Sequence, residues 1–447
     1  METNRPENIA IIGGGFCGTL TAIHLMKDQH LSVHIHLINS GYPIAKGVAY
    51  DPHTSSLLLN VPNGRMSAFD SIPDHYVQWL RSTVPFDQIS KDELSAGFST
   101  RARYGEYLEE LWEEAVSEIP RNKQITVYND YAEDITEENT GWQVHLRNHP
   151  VLKAGAVVLA TGNGLPRFPE GIDQSTKKSK RYFGDPWKRE CVQNLEKQHD
   201  ILIVGNGLTM VDTAISLQES GFSQTIYTIS PNGYKLKPWK ELKDPYTDID
   251  IPATLNRGAT LLELVKILNR HRKIANGLDQ SIYPVIDAMR PYTSGLWRSF
   301  GTVEKQQFIK YLNSFWGSVR HRLPLRNLEQ IEELCTENRL ITCKGHIVSS
   351  AESRDCISIT LNCSGTLKQL NVQRIINCTG PETHIKKQSN QLLTRLEERG
   401  VLSAGPCNIG ISAHPENGCI ATPAAHKLFV IGSNLRGALG KVPPFLN

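Results

Sequence analysis

Twice in this chain an apolar strand runs into a glycine turn and then into a helical period. The first instance is Asn8-Ile9-Ala10-Ile11-Ile12 followed by Gly13-Gly14-Gly15-Phe16-Cys17-Gly18. The second is Ile201-Leu202-Ile203-Val204 followed by Gly205-Asn206-Gly207-Leu208-Thr209-Met210. Strand, tight turn and helix, returning to a parallel strand, form the repeating unit of a doubly wound α/β sheet. A chain of 447 residues has room for two such sheets. The expected architecture is α/β, with two dinucleotide-binding (Rossmann-like) domains. Residues 1–165 and 346–447 make the first, and residues 166–345 the second, with a helical insertion over about 238–323.

Each glycine of the first turn has a physical task. Gly13 permits the sharp turn, Gly15 lets a pyrophosphate approach bare backbone, and Gly18 lets the helix pack closely on the strand. Phe16, Cys17 and Gly18 then offer unpaired N–H groups and the positive end of the helix dipole to phosphate. A ribose-binding acid is expected about 20 residues on. Asn39 stands there, ending the strand Val33–Ile38, and gives a weaker bond than a carboxylate would. In the second turn Gly205, Gly207, Leu208 and Thr209 repeat the pattern, but Met210 replaces the third glycine, which implies looser helix packing. Three further apolar strands end at small residues, namely Thr161-Gly162, Thr379-Gly380 and Gly432-Ser433. Such ends close the edge of a sheet where a dinucleotide lies.

Other chemistries are weakly supported. Lys plus Arg number 48 against 46 Asp plus Glu, a net +2, without the basic excess of a nucleic-acid binder. No apolar run reaches a membrane span, and the first residues lack a signal peptide's apolar core, so a cytoplasmic protein is expected. The nine cysteines include no Cys-x-x-Cys pair, which points to reduced, mostly buried thiols and away from zinc, iron–sulfur or dithiol relay chemistry. The 15 histidines show no metal-ligand spacing, so no metal is expected.

The order of the two glycine turns with Ala160-Thr161-Gly162 and Thr379-Gly380 resembles the flavoproteins that hold FAD in one domain and NAD(P)H in another. Closer still is the FAD/NAD(P)-binding family of bacterial flavoproteins. That resemblance lies in Gly47-Val48-Ala49-Tyr50, Leu59-Asn60-Val61-Pro62, Arg65-Met66-Ser67-Ala68-Phe69, Arg103-Tyr104-Gly105-Glu106-Tyr107-Leu108, Met289-Arg290-Pro291 and the segment Phe315 to Arg322. The family is related to flavin N-hydroxylating monooxygenases. The resemblance implies FAD and either NADPH or NADH as cofactors. It implies a small-molecule substrate, such as an amine or amino acid to be hydroxylated. The alternative is a flavin-binding sensor or partner protein without turnover.

Two segments depart from that family. Where it often carries Ser-Arg-Arg-Gly to grip the 2′-phosphate of NADPH, this chain has Ser230-Pro231-Asn232-Gly233, with Lys235 and Lys237 beyond. Weak coenzyme discrimination is expected. The family also continues past its last strand into a helix. Here Leu435 to Gly440 is followed by Lys441-Val442-Pro443-Pro444, and no such helix is expected.

In a flavoenzyme the cofactor performs the electron chemistry, so no dedicated catalytic residue is singled out. The loop 47–69 and Arg103–Tyr107 are the expected walls of the flavin site. Arg65 either pairs with phosphate or an acidic substrate, or bonds loop carbonyls. Arg320-His321-Arg322 either receives an anionic substrate or is a solvated helix end with snorkelling stems.

Overall fold

The computed structural model describes residues 6–52, 54–83, 88–239, 246, 260–277, 282–421 and 426–440. The chain forms two compact units. One runs to Gly164 and resumes at Glu382, and the other is Leu165–Pro381.

The first unit opens with β1 (Glu7–Ile12), α1 (Phe16–Lys27) and β2 (Val33–Asn39). The last four residues of β1, Ile9 to Ile12, are all apolar and buried because both faces of the strand are covered there. Helices α2 (His75–Arg81), α3 (Lys91–Ala96) and α4 (Arg101–Ser117) lead to β3 (Lys123–Asn129). An antiparallel meander of β4 (Ala132–Glu138), β5 (Gly141–Leu146) and β6 (Leu152–Ala154) precedes β7 (Ala156–Leu159). The main sheet has the order β3-β2-β1-β7, then the last strand Lys427–Val430, all parallel. The chain builds outward from β1 through β2 to β3, then starts again on the other side of β1 with β7. The switch point is therefore the crevice between β1 and β7. Alternating residues feed two cores: Ile9, Ile11, Ile35 and Leu37 pack with α1 and α4, and Ala10, Ile12, Val157 and Leu159 pack with the meander.

In the second unit α5 (Gln174–Lys178) and β8 (Tyr182–Phe183) precede β9 (Asp200–Val204), α6 (Leu208–Glu219) and β10 (Ile226–Ser230). A pair of short strands, β11 (Lys237–Pro238) and β12 (Arg322–Leu323), brackets the helical part. That part includes Leu261–Gly277, Tyr283–Met289, Thr293–Ser299 and Asn313–Arg320, packed around Val285, Met289, Leu296 and Trp297. Residues 240–245, 247–259 and 278–281 of the expected helical region lie outside the described residues. The helix Leu325–Thr336 leads into β13 (Leu340–Glu352), β14 (Ile357–Cys363) and β15 (Thr366–Asn377). The sheet order is β14-β13-β10-β9-β15-β8, which puts this switch point between β9 and β15.

Three expectations need correction. The chain returns to the first unit at Glu382, not at 346. β13, β14 and β15 form a long antiparallel meander whose last strand pairs with β9, and this holds residues 346–381 in the second unit. The thiols are not all reduced: Cys343 and Cys363 form a disulfide between β13 and β14, with Cα atoms 5.6 Å apart. The last strand is followed by a helical segment, a 3-10 turn at Gly432–Leu435 and one helical turn at Arg436–Leu439. Lys441 to Asn447 lie outside the described residues.

Candidate functional site

The first glycine turn is a cradle that side chains would fill. Gly13 has φ +112°, and a Cβ there would sit 2.3 Å from the Ala160 carbonyl oxygen. A Cβ on Gly14 would sit 2.7 Å from Asn39 Oδ1. A Cβ on Gly15 would lie 3.5 Å from Gly47 Cα. Gly15 caps α1 without a side-chain bond, and the first turn of α1 carries no acid. That leaves backbone N–H groups and the dipole for an anion. Phe16 turns inward, its ring 5.7 Å from that of Tyr50. Burial pushes the Cys17 thiol up to about 12, which disfavours the thiolate.

Asn39 ends β2 beside this cradle and is buried. Its amide nitrogen donates to the Tyr42 carbonyl at 2.8 Å, which leaves Oδ1 as an acceptor next to Gly14. The residue therefore presents an oxygen, as an acid would, without the charge.

The loop after β2 closes over the turn. Ala45 N–H donates to the Gly14 carbonyl at 2.9 Å, and the Thr19 hydroxyl donates to the same oxygen at 3.0 Å. The loop is pinned from the far side by α4, where a Cβ on Gly105 would sit 2.6 Å from the Tyr50 carbonyl oxygen. Residues 47–50 thus line the cradle. Met66 is buried in the core, its carbonyl accepting from Tyr104 Oη at 2.9 Å, while Arg65 is exposed on the 3-10 turn Asn63–Arg65. Arg103 pairs with Glu106 and lies over Trp79, 4.6 Å from the ring centroid.

Across the switch point, Thr161 and Gly162 follow β7. Asn434 donates to Thr161 Oγ1 at 3.0 Å and to the Gly162 carbonyl at 3.2 Å. Gly432 opens the 3-10 turn that carries Asn434, so these residues gather at one sheet edge. Asn434 and its neighbour Arg436 escaped the sequence reading, because their partners lie 273 and 273 residues away. Gly380 does not join them. It follows β15 in the second unit, beside the second glycine turn.

That second turn repeats the first. Gly205 has φ +114°, and a Cβ on it would sit 2.4 Å from the Cys378 carbonyl oxygen. Gly207 caps α6 with nothing within 4 Å of a Cβ, ahead of Leu208 and Thr209 in the first turn. Beyond β10, Gly233, Lys235, Cys335, Thr342 and Lys344 line a cavity of about 360 Å³. Lys344 is in register with Ser230, whereas Lys237 is drawn away into the β11–β12 pair.

The basic cluster is not one unit. Arg322 is fully buried and bidentate to Asp287, with both bonds at 2.9 Å, and its guanidinium lies between Trp239 and Tyr283. It is a structural ion pair and not a substrate ligand. The Arg320 carbonyl accepts from Arg290 at 2.8 Å, and Arg320 and His321 are half-buried. Among the described residues no group of histidines, cysteines or carboxylates is arranged to hold a metal, and no helix is long and apolar enough to cross a membrane.

Residues 10–164 match the model of the FAD-NAD(P)-binding family. No curated protein matches the sequence. Among solved structures, the chain is similar to an ornithine N-hydroxylase of Kutzneria sp. 744, at 12% identity and TM-score 0.65, covering 98% of this chain and 94% of that one. It is also similar to L-lysine 6-monooxygenase of Pseudomonas syringae, at 13% and 0.64, covering 98% and 94%. A bacillithiol disulfide reductase of Bacillus cereus matches at 12% and 0.53, covering 98% and 94%. At such identities the likeness is one of fold, and that fold carries more than one chemistry. Residues 10–164 thus match the FAD-NAD(P)-binding family, within a chain whose fold is similar to that of ornithine N-hydroxylase.

Proposed function

We propose that the protein is an FAD-dependent oxidoreductase reduced by NAD(P)H, and that its reaction is hydroxylation of a small amine or amino acid. One observation carries the first part. Each unit has a glycine turn placed on its own switch point, with an uncapped, acid-free helix start facing it. Two such cradles suit two dinucleotides. The amine substrate rests on the structural neighbours, which act on ornithine and lysine; the Kutzneria structure is described with reduced FAD, NADP+ and L-ornithine.

FAD, when bound, supplies the electron transfer and the activation of oxygen. The chain's own residues do the holding. Gly13, Gly15, Phe16, Cys17 and Gly18 offer backbone to the pyrophosphate, and Asn39 Oδ1 accepts from a ribose hydroxyl. Thr161, Gly162 and Gly432 form the edge toward which the flavin half extends, with Met66 behind the loop wall. In the second unit Gly205, Gly207, Leu208, Thr209 and Gly380 take the nicotinamide coenzyme. Lys235 and Lys344 replace the arginines that would grip a 2′-phosphate. The visible spectrum of purified protein, before and after anaerobic NADPH, tests this reading. A flavin spectrum that bleaches supports it. A bound flavin that NADPH and NADH leave oxidised points to the non-catalytic alternative.

A further inference from the structure

The first unit holds a cation that the glycine cradle does not use. Arg436 starts the helical turn Arg436–Leu439, directly after the 3-10 turn Gly432–Leu435. Its backbone is clamped on both sides. A Cβ on Gly437 would sit 1.8 Å from the Ile409 carbonyl oxygen, and one on Gly410 would sit 2.2 Å from the Asn434 carbonyl oxygen. Asn434 is tied to Thr161 and Gly162, and its carbonyl accepts from Ile411 N–H at 2.8 Å. The segment has no room to swing away from the end of β7.

The guanidinium makes one hydrogen bond, from Nη2 to Asn163 Oδ1 at 3.4 Å, which is long for its type. Among the described residues no carboxylate pairs with it. Burial pushes its pKa down from the ordinary arginine value, so the charge is held there at some cost. Asn163 follows Gly162, which is exposed at φ +71°, and among the described residues a Cβ on Gly162 would meet nothing within 4 Å. A fixed, half-buried cation therefore stands at an open sheet edge.

What occupies that edge follows from the topology. A dinucleotide lies across the switch point between β1 and β7. Asn39, on the β2 side, marks the adenosine half, and the turn at Gly13–Gly18 marks the pyrophosphate. The remaining half runs to the β7 side, and in FAD it ends in the isoalloxazine ring. Resting on the FAD reading, we propose that Arg436 is the positive charge set against the pyrimidine end of that ring, where negative charge collects when the flavin accepts electrons. A preorganised cation at such a place raises the electron affinity of the cofactor without rearrangement.

Sulfite is a direct probe. Its sulfur lone pair attacks flavin N5, a N–S bond forms, and the electron pair moves to N1 and the C2 carbonyl with no proton lost. The adduct is stable only where that charge is met. Purified holoprotein is titrated with sulfite, following the visible flavin band, in wild type, Arg436→Lys, Arg436→Gln and Arg436→Ala. Removing a charge-assisted contact is expected to weaken sulfite binding by about tenfold or more in Gln and Ala, with FAD content unchanged and Lys intermediate. Reduction with dithionite across pH adds a second readout. The wild-type reduced flavin should stay anionic to lower pH than in Gln or Ala. Equal sulfite affinity in all four proteins with FAD retained overturns the inference and leaves the FAD reading intact. Loss of FAD from Gln and Ala, with unchanged sulfite affinity of the flavin that remains, also overturns it and assigns Arg436 to the phosphates. A wild-type protein that takes up no FAD refutes the cofactor reading itself.

Discussion

Gly18 and the Gly13 carbonyl meet so closely that a Cβ on Gly18 would lie 1.8 Å from that oxygen. This contact sets α1 on the end of β1 and so shapes the cradle. Gly18→Ala must push helix and strand apart. Overpacking of this kind costs about 1–3 kcal/mol. The expected result is a lower unfolding midpoint together with loss of FAD. Gly15→Ala adds a methyl facing only Gly47 Cα at 3.5 Å, so it should keep its stability and bind FAD more weakly. Thermal unfolding of both variants with and without added FAD separates packing from binding. A Gly18→Ala protein with wild-type stability and FAD content would show that the cradle is read wrongly.

Among the described residues Gly207 has no neighbour within 4 Å of a Cβ, and its φ is not positive, so a side chain there is tolerated by the fold. Gly207→Asp places negative charge at the start of α6, against any phosphate. FAD should remain bound and dithionite should still bleach it, while reduction by NAD(P)H slows strongly. Stopped-flow reduction measures this; an unchanged rate would make the second turn a relic.

Coenzyme choice should follow the cavity lining. Lys235 and Lys344 reach it and Lys237 does not. A charge-assisted contact is worth about 1.5–3 kcal/mol, or roughly ten- to a hundredfold, and flexible, salt-screened lysines fall at the low end. Lys344→Ala and Lys235→Ala should each weaken NADPH up to about tenfold and leave NADH unchanged, with Lys237→Ala silent. Kd values for both coenzymes across the three variants decide between the lysines.

Asp287→Ala leaves the buried Arg322 guanidinium without its bidentate partner. Stranding a buried charge costs about 3–5 kcal/mol. Denaturant unfolding should show a loss of that order, partly restored in the double variant Asp287→Leu/Arg322→Met. A small loss would return Arg322 to the list of substrate ligands.

His36 predicts an acid limb of the stability curve. It is buried on β2, and burial followed by the neighbouring His34 pushes its pKa down from 6.5 to about 4. The native state binds fewer protons than the unfolded chain between those values. Stability therefore falls as pH falls from about 6.5 toward 4. His36→Gln should flatten that part of the curve. An unchanged slope from urea midpoints across this range would remove His36 as its source.

What the sequence disclosed depended on how local each constraint is. The glycine turns were legible because a sharp turn, a close approach and a packed helix act within six residues, Gly13 to Gly18. Asn39 was found by its spacing, though the orientation of its amide depends on Tyr42 and needed coordinates. Gly380 was assigned to the wrong unit because a strand's neighbour is a long-range fact, and β15 turned out to pair with β9. Arg322 read as either a substrate-facing or a solvated cation because Asp287, 35 residues earlier, carries no mark of being its partner. Cys343 and Cys363 are separated by 20 residues, a spacing with no signature until the β13–β14 hairpin brings them together. Lys344 lay outside the segment where a phosphate-binding residue is usually sought, and strand register brought it beside Ser230.

The first unit is interrupted: its chain leaves at Gly164 and resumes at Glu382. The last strand, Lys427–Val430, is the edge strand that covers β7, and Asn434 fastens the end of that strand. During synthesis these pieces emerge from the ribosome after the whole second unit. The cradle's own turn is made before that unit, yet the sheet behind it stays open along β7 until the whole intervening unit has been translated. At about 5–20 residues per second, that leaves one edge of the apolar strand β7 unpaired for roughly ten to fifty seconds. The second unit is one continuous stretch and waits less: β9 meets its partner β15 about 160 residues later, at the same rate. Nascent chains stalled after the second unit has emerged but before residue 427 should therefore be captured by chaperones through the first unit while the second has already closed.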